Sequence, residues 1–189
     1  MTTAGVVPSL PAPLTQKPLV RAVVVGLGSV LALGCFFRFG LDEQGLFAAA
    51  FVVVLGVLTV IDLEQRRLPN RIVLPGAAVA LATQVALQPD RTLEWVLAAI
   101  GAALFFFLPL LFYPSGMGMG DVKLAFMLGA ALGTSVVAAL VIACFGVAFA
   151  GIALIIRHGA SARKRAVPFG PFLAGGAVIA LFAGGALPN

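Results

Sequence analysis

The chain has 189 residues, of which 61% are hydrophobic and only 10% are charged, whereas an ordinary soluble domain is about 25% charged. Twelve Lys and Arg against seven Asp and Glu give a net charge of +5. In a chain this apolar the basic residues have a topological explanation. The composition therefore indicates a polytopic membrane protein and gives no reason to expect a nucleic-acid partner.

Residue types that hold metal ions are sparse in the sequence. Cys35 and Cys144 both lie inside apolar segments, and His158 is the single histidine. These residues provide neither a four-cysteine cluster nor a pair of histidines in an H-E-x-x-H motif. We therefore expect no metal ion and no other cofactor.

The apolar runs predict an all-α, polytopic helical bundle with about seven membrane segments. A spanning helix needs about 20 apolar residues, and six of the runs are treated as full spans, whereas one run of 11 residues is short. The expected segments are 19–37, 46–61, 72–87, 95–113, 122–132, 136–156 and 169–187. Trp95 is expected in an aromatic belt at the membrane interface.

Proline marks the region before the first segment. Residues 1–18 contain four prolines and no charge before Lys17, which predicts a flexible cytoplasmic tail. Residues 19–189 are expected to form a single membrane-embedded domain. The tail has no basic stretch at its start, so it does not resemble a cleaved signal peptide.

The positions of the basic residues predict the orientation of the segments. If seven segments alternate in direction, ten of the twelve Lys and Arg lie on one side, and only Arg38 and Arg91 lie on the other. The side rich in basic residues is normally cytoplasmic. We therefore expect a protein of the inner (plasma) membrane with a cytoplasmic N-terminus and an external C-terminus. The basic side would also meet anionic lipid headgroups.

Two aspartates lie where apolar segments meet polar loops on this cytoplasmic side. Asp62 follows the second segment, and Asp121 precedes the short segment 122–132. An ionisable group at membrane depth costs roughly 2.5 to 3.5 kcal/mol on insertion scales and is typical of functional sites. A carboxylate near a helix N-terminus gains only about 0.3 to 1 kcal/mol, which is too little to explain Asp121.

A pair of close carboxylates can hydrolyse a peptide bond without a metal ion. Two such groups cannot both ionise easily, so one keeps a proton while the other stays charged. The ionised group can draw a proton from water, and the protonated group can donate to the peptide carbonyl oxygen. Gly116, Gly118 and Gly120 leave the backbone before Asp121 bare, so a substrate main chain could approach it closely.

Three stretches of the sequence resemble the signature stretches of the type IV prepilin peptidase family, which are membrane aspartic proteases of the GxGD kind. The stretches are 61–70 (IDLEQRRLPN), 116–124 (GMGMGDVKL) and 167–172 (VPFGPF). They occur in the family's order and cover the chain from about residue 46 to its end. The resemblance implies that Asp62 and Asp121 are the catalytic pair of an aspartic endopeptidase.

The same resemblance implies the substrate. Family members cut type IV prepilins or prepilin-like secretion subunits on the cytoplasmic side, between a short leader and the hydrophobic helix. Larger members also methylate the new N-terminus with an additional N-terminal region that holds a cysteine cluster. This chain lacks those cysteines, so we expect a prepilin peptidase without methyltransferase activity.

Other residues of the three stretches are candidates for binding the substrate or shaping the active site. They are Gly118, Gly120, Lys123, Pro69, Asn70, Pro168, Gly170 and Pro171. For Lys123 the favoured interpretation is a side chain that extends to the membrane surface, and the alternative is a role beside an aspartate. Asn70 is expected to cap the third helix.

Three other functions remain open at this point. A presenilin-like intramembrane protease also uses GxGD, but this chain lacks the Pro-Ala-Leu stretch of that group. A proton-coupled transporter would use buried aspartates as proton relays, although we find no inverted repeats in the sequence. A structural membrane subunit would tolerate replacement of both aspartates.

Overall fold

The structure, a computed structural model, describes residues 18–112, 118–158 and 168–184. Seven α-helices account for most of these residues, which confirms the expected all-α bundle. They are α1 (Pro18–Phe39), α2 (Glu43–Gln65), α3 (Asn70–Leu87), α4 (Thr92–Phe112), α5 (Met119–Leu132), α6 (Val136–His158) and α7 (Gly170–Gly184). Short 3-10 turns, Pro89–Arg91 and Gly133–Ser135, precede α4 and α6. The tail predicted for residues 1–18 lies outside the described residues except for Pro18.

Capping residues explain several of the helix ends. The side chain of Asp42 accepts a hydrogen bond of 3.1 Å from the Gly45 amide at the start of α2, as Asp commonly does at an N-cap. At the other end of α2, Arg66 adopts a left-handed conformation with φ 50°. The apolar run ends just before Asp62, but α2 continues to Gln65. Asp62 therefore lies in the last turn of the helix and not in the loop that follows it.

One end of the bundle gathers the signature stretches, and we call it the aspartate end. The amide of Gly170, at the start of α7, bonds to Asp62 near the end of α2. The side chain of Lys123, near the start of α5, bonds to Asn70 at the start of α3. Four helix ends therefore meet there, namely the C-terminus of α2 and the N-termini of α3, α5 and α7.

Contacts at the opposite end, the far end, fix the direction of α3, α4 and α5. Gln84 of α3 donates its side-chain amide to the carbonyl of Ala131, near the end of α5, over 2.6 Å. Thr134, just after α5, donates its hydroxyl to Glu94 near the start of α4 over 3.0 Å. So α3 and α5 run away from the aspartate end, and α4 returns to it.

Helices α6 and α7 pack as an antiparallel pair. Gly146 of α6 faces Phe172 near the start of α7, whereas Gly176 further along α7 faces the backbone of Ala139. Gly133, with φ +55°, separates α5 from α6, and positive φ of this kind is easily adopted by glycine. The described helices therefore alternate in direction along the chain.

Helix α5 is the centre of the bundle. Nine of its 14 residues are buried, and it packs against α3, α4 and α7. A helix that is apolar on all sides is expected to be surrounded by protein. A segment too short to span the membrane alone is thus enclosed by neighbouring helices, and Asp121 lies in its first turn.

By length and apolar composition, five helical stretches of the described residues can cross a membrane, with α5 and α6 counted as one stretch. The apolar part of α7, Gly170–Ala183, is shorter. Exposed apolar side chains cover α1, as they do on helices that face lipid.

Trp95 corrects one expectation from the sequence. The side chain is only 1% exposed, and its ring fills the space beside Gly133. It therefore packs inside the protein and does not stand in an interfacial aromatic belt. Gly133, which has a positive φ and no side chain, makes room for the ring. The run of apolar residues around Trp95 does not indicate this partner.

Candidate active site

Asp62 is a buried carboxylate held by a distant backbone amide. Its side chain lies in the last turn of α2 and is 6% exposed. One carboxylate oxygen, Oδ2, accepts a hydrogen bond of 3.0 Å from the Gly170 amide, 108 residues later in the chain. A buried carboxylate needs donors of this kind, because burial removes the water that would otherwise solvate it.

Residues at the start of α7 position the amide of Gly170 at Asp62. Pro171, at the second position of the helix, lacks an amide hydrogen that would have no helical partner there. Phe169, just before the helix, packs edge-on against Phe106 of α4 with ring centroids 5.2 Å apart. Pro168 and Pro171 are both half-buried. Of the candidate residues Pro168, Gly170 and Pro171, the structure thus brings Gly170 to Asp62, with the two prolines close to it in the chain.

Asp121 is held within its own helix. It is the third residue of α5, and its Oδ2 accepts a hydrogen bond of 3.3 Å from the amide of Gly118, the N-cap residue. The side chain is half-buried. A carboxylate at this position also suits the positive end of the helix dipole. This bond is longer than the one that Asp62 receives from α7.

The two aspartates lie at the same end of the bundle. Asp62 lies within Coulomb range of Asp121, and neighbouring carboxylates disfavour each other's ionisation. Asp62 is supported by α2 and α7, and Asp121 by α5. The structure thus brings together two residues that the sequence places in separate stretches.

Lys123 and Asn70 tie the first two signature stretches together. The Lys123 Nζ donates a hydrogen bond of 2.9 Å to Asn70 Oδ1. The expected N-cap role of Asn70 is wrong, since α3 begins at Asn70, its N-cap is Pro69, and that end has no side-chain capping bond. Lys123 is half-buried and makes this bond, so it does not simply extend to the membrane surface.

Gly120 allows the connection between α2 and α3 to pack on α5. A Cβ atom at position 120 would lie 3.1 Å from Leu68 Cβ and 3.4 Å from its Cδ1. Leu68 thus fills the space that the missing side chain leaves. Gly118, by contrast, is exposed, and a Cβ there would make only ordinary contacts of 3.7 Å or more. Gly116 lies outside the described residues.

Two charged residues at the aspartate end, Arg21 and Glu64, form an ion pair that the sequence did not predict. Arg21 of α1 forms an ion pair of 3.3 Å with Glu64, in the last turn of α2. Arg66, which ends α2, exerts a Coulomb interaction on Asp62. The Arg21 and Glu64 contact could not be read from hydropathy, because it depends on the register between α1 and α2.

The described part of the chain also bears on metal binding. Within residues 18–112, 118–158 and 168–184, no three Cys, His, Asp or Glu side chains are grouped so that they could hold a metal ion. Carboxyl groups are among the side chains that can exchange a proton with water in catalysis.

The region that holds both aspartates matches a known protein family. The model of the type IV leader peptidase family matches residues 49–156, more than half of the chain. The chain belongs to the type IV leader peptidase family. Asp62, Asp121 and the glycines before Asp121 lie inside the match, whereas Gly170 lies beyond it. Family membership and the apolar helices make the chain a multi-pass membrane protein.

Several relatives carry the name prepilin leader peptidase/N-methyltransferase. The protein from Legionella pneumophila is 33% identical over 169 residues, which cover 86% of this chain and 58% of that protein. The Bacillus subtilis (strain 168) protein is 27% identical over 165 residues, which cover 82% of this chain and 64% of that protein. The Pseudomonas putida protein is 31% identical over 166 residues, which cover 84% and 57%. The chain thus spans between about half and two thirds of these relatives' length. No solved structure matches it.

Proposed function

We propose that this chain is a membrane aspartic endopeptidase that removes the leader of type IV prepilins or prepilin-like secretion subunits. The observation that carries the proposal is that Asp62 and Asp121, from separate signature stretches, lie at the same end of the bundle. The names of the relatives, each a prepilin leader peptidase, support the choice of substrate.

In the proposed mechanism the two aspartates share one proton around a water molecule. The ionised carboxylate takes a proton from the water, whose oxygen forms a bond to the peptide carbonyl carbon. The protonated carboxyl group donates to the carbonyl oxygen at the same time. When the carbon–nitrogen bond breaks, the proton taken from the water passes to the departing amine. As the carbonyl of the new carboxyl group forms, a hydroxyl of the tetrahedral intermediate returns its proton to the second carboxylate, so the pair again holds one shared proton.

We also propose that the aspartate end faces the cytoplasm. Of the eight Lys and Arg among the described residues, six lie at this end, and only Arg38 and Arg91 lie at the far end. Under the positive-inside rule this distribution supports a cytoplasmic N-terminus and an external C-terminus. A leader that precedes a hydrophobic substrate helix would then reach the pair from the cytoplasm, and the basic residues would contact anionic headgroups.

The proposed activity is cleavage without methylation. The names of the relatives join both activities, whereas Asp62 and Asp121 are residues suited to the hydrolysis of a peptide bond. The two cysteines of the sequence, Cys35 and Cys144, lie inside α1 and α6 and form no cluster. We also propose that residues 19–189 form a single membrane-embedded peptidase domain.

The test is cleavage of a tagged prepilin coexpressed with the chain. Asp62→Asn and Asp121→Asn should each lower the cleavage rate about 10²- to 10⁴-fold, because each removes a proton donor or acceptor. Asp90→Asn is the matched control, since Asp90 is exposed in the turn before α4 at the far end. Unchanged processing by both aspartate variants would overturn the proposal.

The mass of the mature substrate gives the second measurement. We expect the mass of the unmethylated chain, cut before its hydrophobic helix. A product heavier by one methyl group would show that methylation also occurs. A cut within the hydrophobic helix would instead favour the intramembrane protease alternative.

A further inference from the structure

The two aspartates receive different support from the backbone. Asp62 accepts an amide from another helix over 3.0 Å in a buried position, whereas the half-buried Asp121 accepts the amide of its own, exposed N-cap residue over 3.3 Å. An amide can only donate, so it favours a carboxylate that is ionised over one that carries a proton. Both amides belong to helix N-termini, which carry partial positive charge, so the two aspartates differ in the length of the hydrogen bond and in how deeply it is buried.

Position 170 leaves no room for a side chain. A Cβ atom there would lie 2.6 Å from Oδ2 of Asp62 and 3.0 Å from its Cγ. Gly40 and Gly133 are the described glycines with positive φ, so Gly170 is needed for space and not for an unusual backbone conformation. The carboxylate of Asp62 occupies the space that a side chain would fill.

We propose that α7 makes Asp62 the ionised, water-activating member of the pair by donating the Gly170 amide to its carboxylate. Asp121 then carries the shared proton and acts as the acid. Gly170 is therefore a positioning residue, and it must be glycine for Asp62 to reach the amide. This inference rests on the proposed function, which does not say which aspartate is the base and which is the acid. The inference assigns these two roles.

The other charged groups near Asp62 are compatible with this assignment. Arg66, the C-cap residue that follows α2, and Asp121, on α5, are charged groups within Coulomb range of Asp62. On α1, Arg21 is paired with Glu64. On α5, Lys123 is bonded to Asn70 of α3. The described residues of α7, which packs against α2, include no charged side chain. The amide of Gly170 is thus what α7 contributes to the electrostatics of Asp62.

Three alanine substitutions in α7 test the proposal. Gly170→Ala should lower kcat for prepilin cleavage at least about tenfold, with KM within about twofold, because Asp62 is displaced. The acidic limb of its pH–rate profile should move to higher pH by about one to two units, since the ionised form of Asp62 loses a charge-assisted hydrogen bond. The basic limb should move less.

Two glycines of the same helix provide matched controls. Gly175→Ala should behave like the unmodified chain, because a Cβ there meets nothing within 4 Å. Gly176→Ala should lower thermal stability, since its Cβ would overlap the Ala139 backbone, but should leave the pH profile of the remaining activity in place. A Gly170→Ala variant whose kcat and pH profile match those of Gly175→Ala would overturn the inference.

A spectroscopic measurement keeps the inference testable if Gly170→Ala does not fold. Labelling with ¹³C-carbonyl Phe and ¹⁵N-Gly selects the three Phe-Gly junctions, at Gly40, Gly146 and Gly170. One of these resonances should titrate across the acidic limb in the unmodified chain and should not titrate in Asp62→Asn. If none titrates, or if the titration survives in Asp62→Asn, the amide does not sense Asp62 and the inference is wrong.

The two proposals can fail separately. If Asp62→Asn and Asp121→Asn both cleave prepilin, the proposed function itself fails. If both are inactive while Gly170→Ala retains the normal rate and pH profile, only the assignment of roles fails.

Discussion

Single side chains connect parts of the chain that are far apart in sequence. The bond from Lys123 to Asn70 joins α5 to α3, and the bond from Gly170 to Asp62 joins α7 to α2. The first of these holds the helix that carries Asp121 against the connection that follows Asp62. We therefore expect the Lys123 and Asn70 contact to stabilise the geometry of the aspartate pair.

A double-mutant cycle measures this contact. Asn70→Ala and Lys123→Met should each lower the free energy of unfolding, and the double variant should lose less than the sum. The expected coupling is about 0.5 to 1 kcal/mol, because a hydrogen bond of this kind in an exposed setting has a modest net value. Asn70→Ala combined with Arg38→Met, at the far end, should be additive. Equal additivity in both cycles would show that the contact does not contribute.

At the residue scale the sequence singles out candidate groups but does not predict which side chains they contact. Asp62 and Asp121 stand out because ionisable residues are costly beside apolar segments. The partner of Asn70 could not be predicted, because a capping role and a contact with Lys123 both suit an Asn before a helix. Choosing between them requires the register of α3 against α5, which the spacing of the stretches does not contain.

Helix packing depends on small residues at close contacts. A Cβ at position 129 of α5 would overlap the backbone of Ala98 and Ala99 on α4. In lipid, where helices gain little from burying apolar surface, such close backbone approach is a main source of association. The position of α5, and with it the position of Asp121, depends on this contact.

Alanine at position 129 should therefore separate α5 from α4. Gly129→Ala is expected to lower the free energy of unfolding by about 1 to 3 kcal/mol, the usual cost of overpacking, and to lower prepilin cleavage as Asp121 shifts. Gly101→Ala on α4 is the control, because a Cβ there meets nothing within 4 Å. Thermal unfolding in detergent measures the stability of both variants. Equal melting temperatures would contradict the role assigned to Gly129.

At the element scale the apolar runs were good predictors of helices and poor predictors of surroundings. The predicted segments and the observed helices differ by only a few residues at their described ends. Trp95 was misplaced because a residue that faces lipid and one that faces protein are both apolar. Hydropathy alone cannot separate a lipid environment from a protein interior. A small residue that packs against the ring, such as Gly133, indicates that the side chain is in the protein interior.

For the molecule as a whole, the direction of each helix and the distribution of charge agree. The described helices alternate, and the aspartate end holds most of the described basic residues. The alternation was predictable, because short connections force successive helices to run in opposite directions. The meeting of α2 with α7 was not predictable from hydropathy, because it joins segments that are far apart in the sequence.

Sided labelling of single cysteines tests the proposed orientation of the whole molecule. In a Cys35→Ala, Cys144→Ala background, Gln65→Cys marks the aspartate end and Leu41→Cys the far end, and both positions are exposed. Neither change alters the number of Lys and Arg, so the charge bias that sets the topology is preserved. A membrane-impermeant maleimide added outside intact cells should label position 41 and should reach position 65 only after permeabilisation. The reverse pattern would place the aspartate pair outside the cell, where it could not meet a cytoplasmic leader, and would refute both the orientation and the proposed substrate.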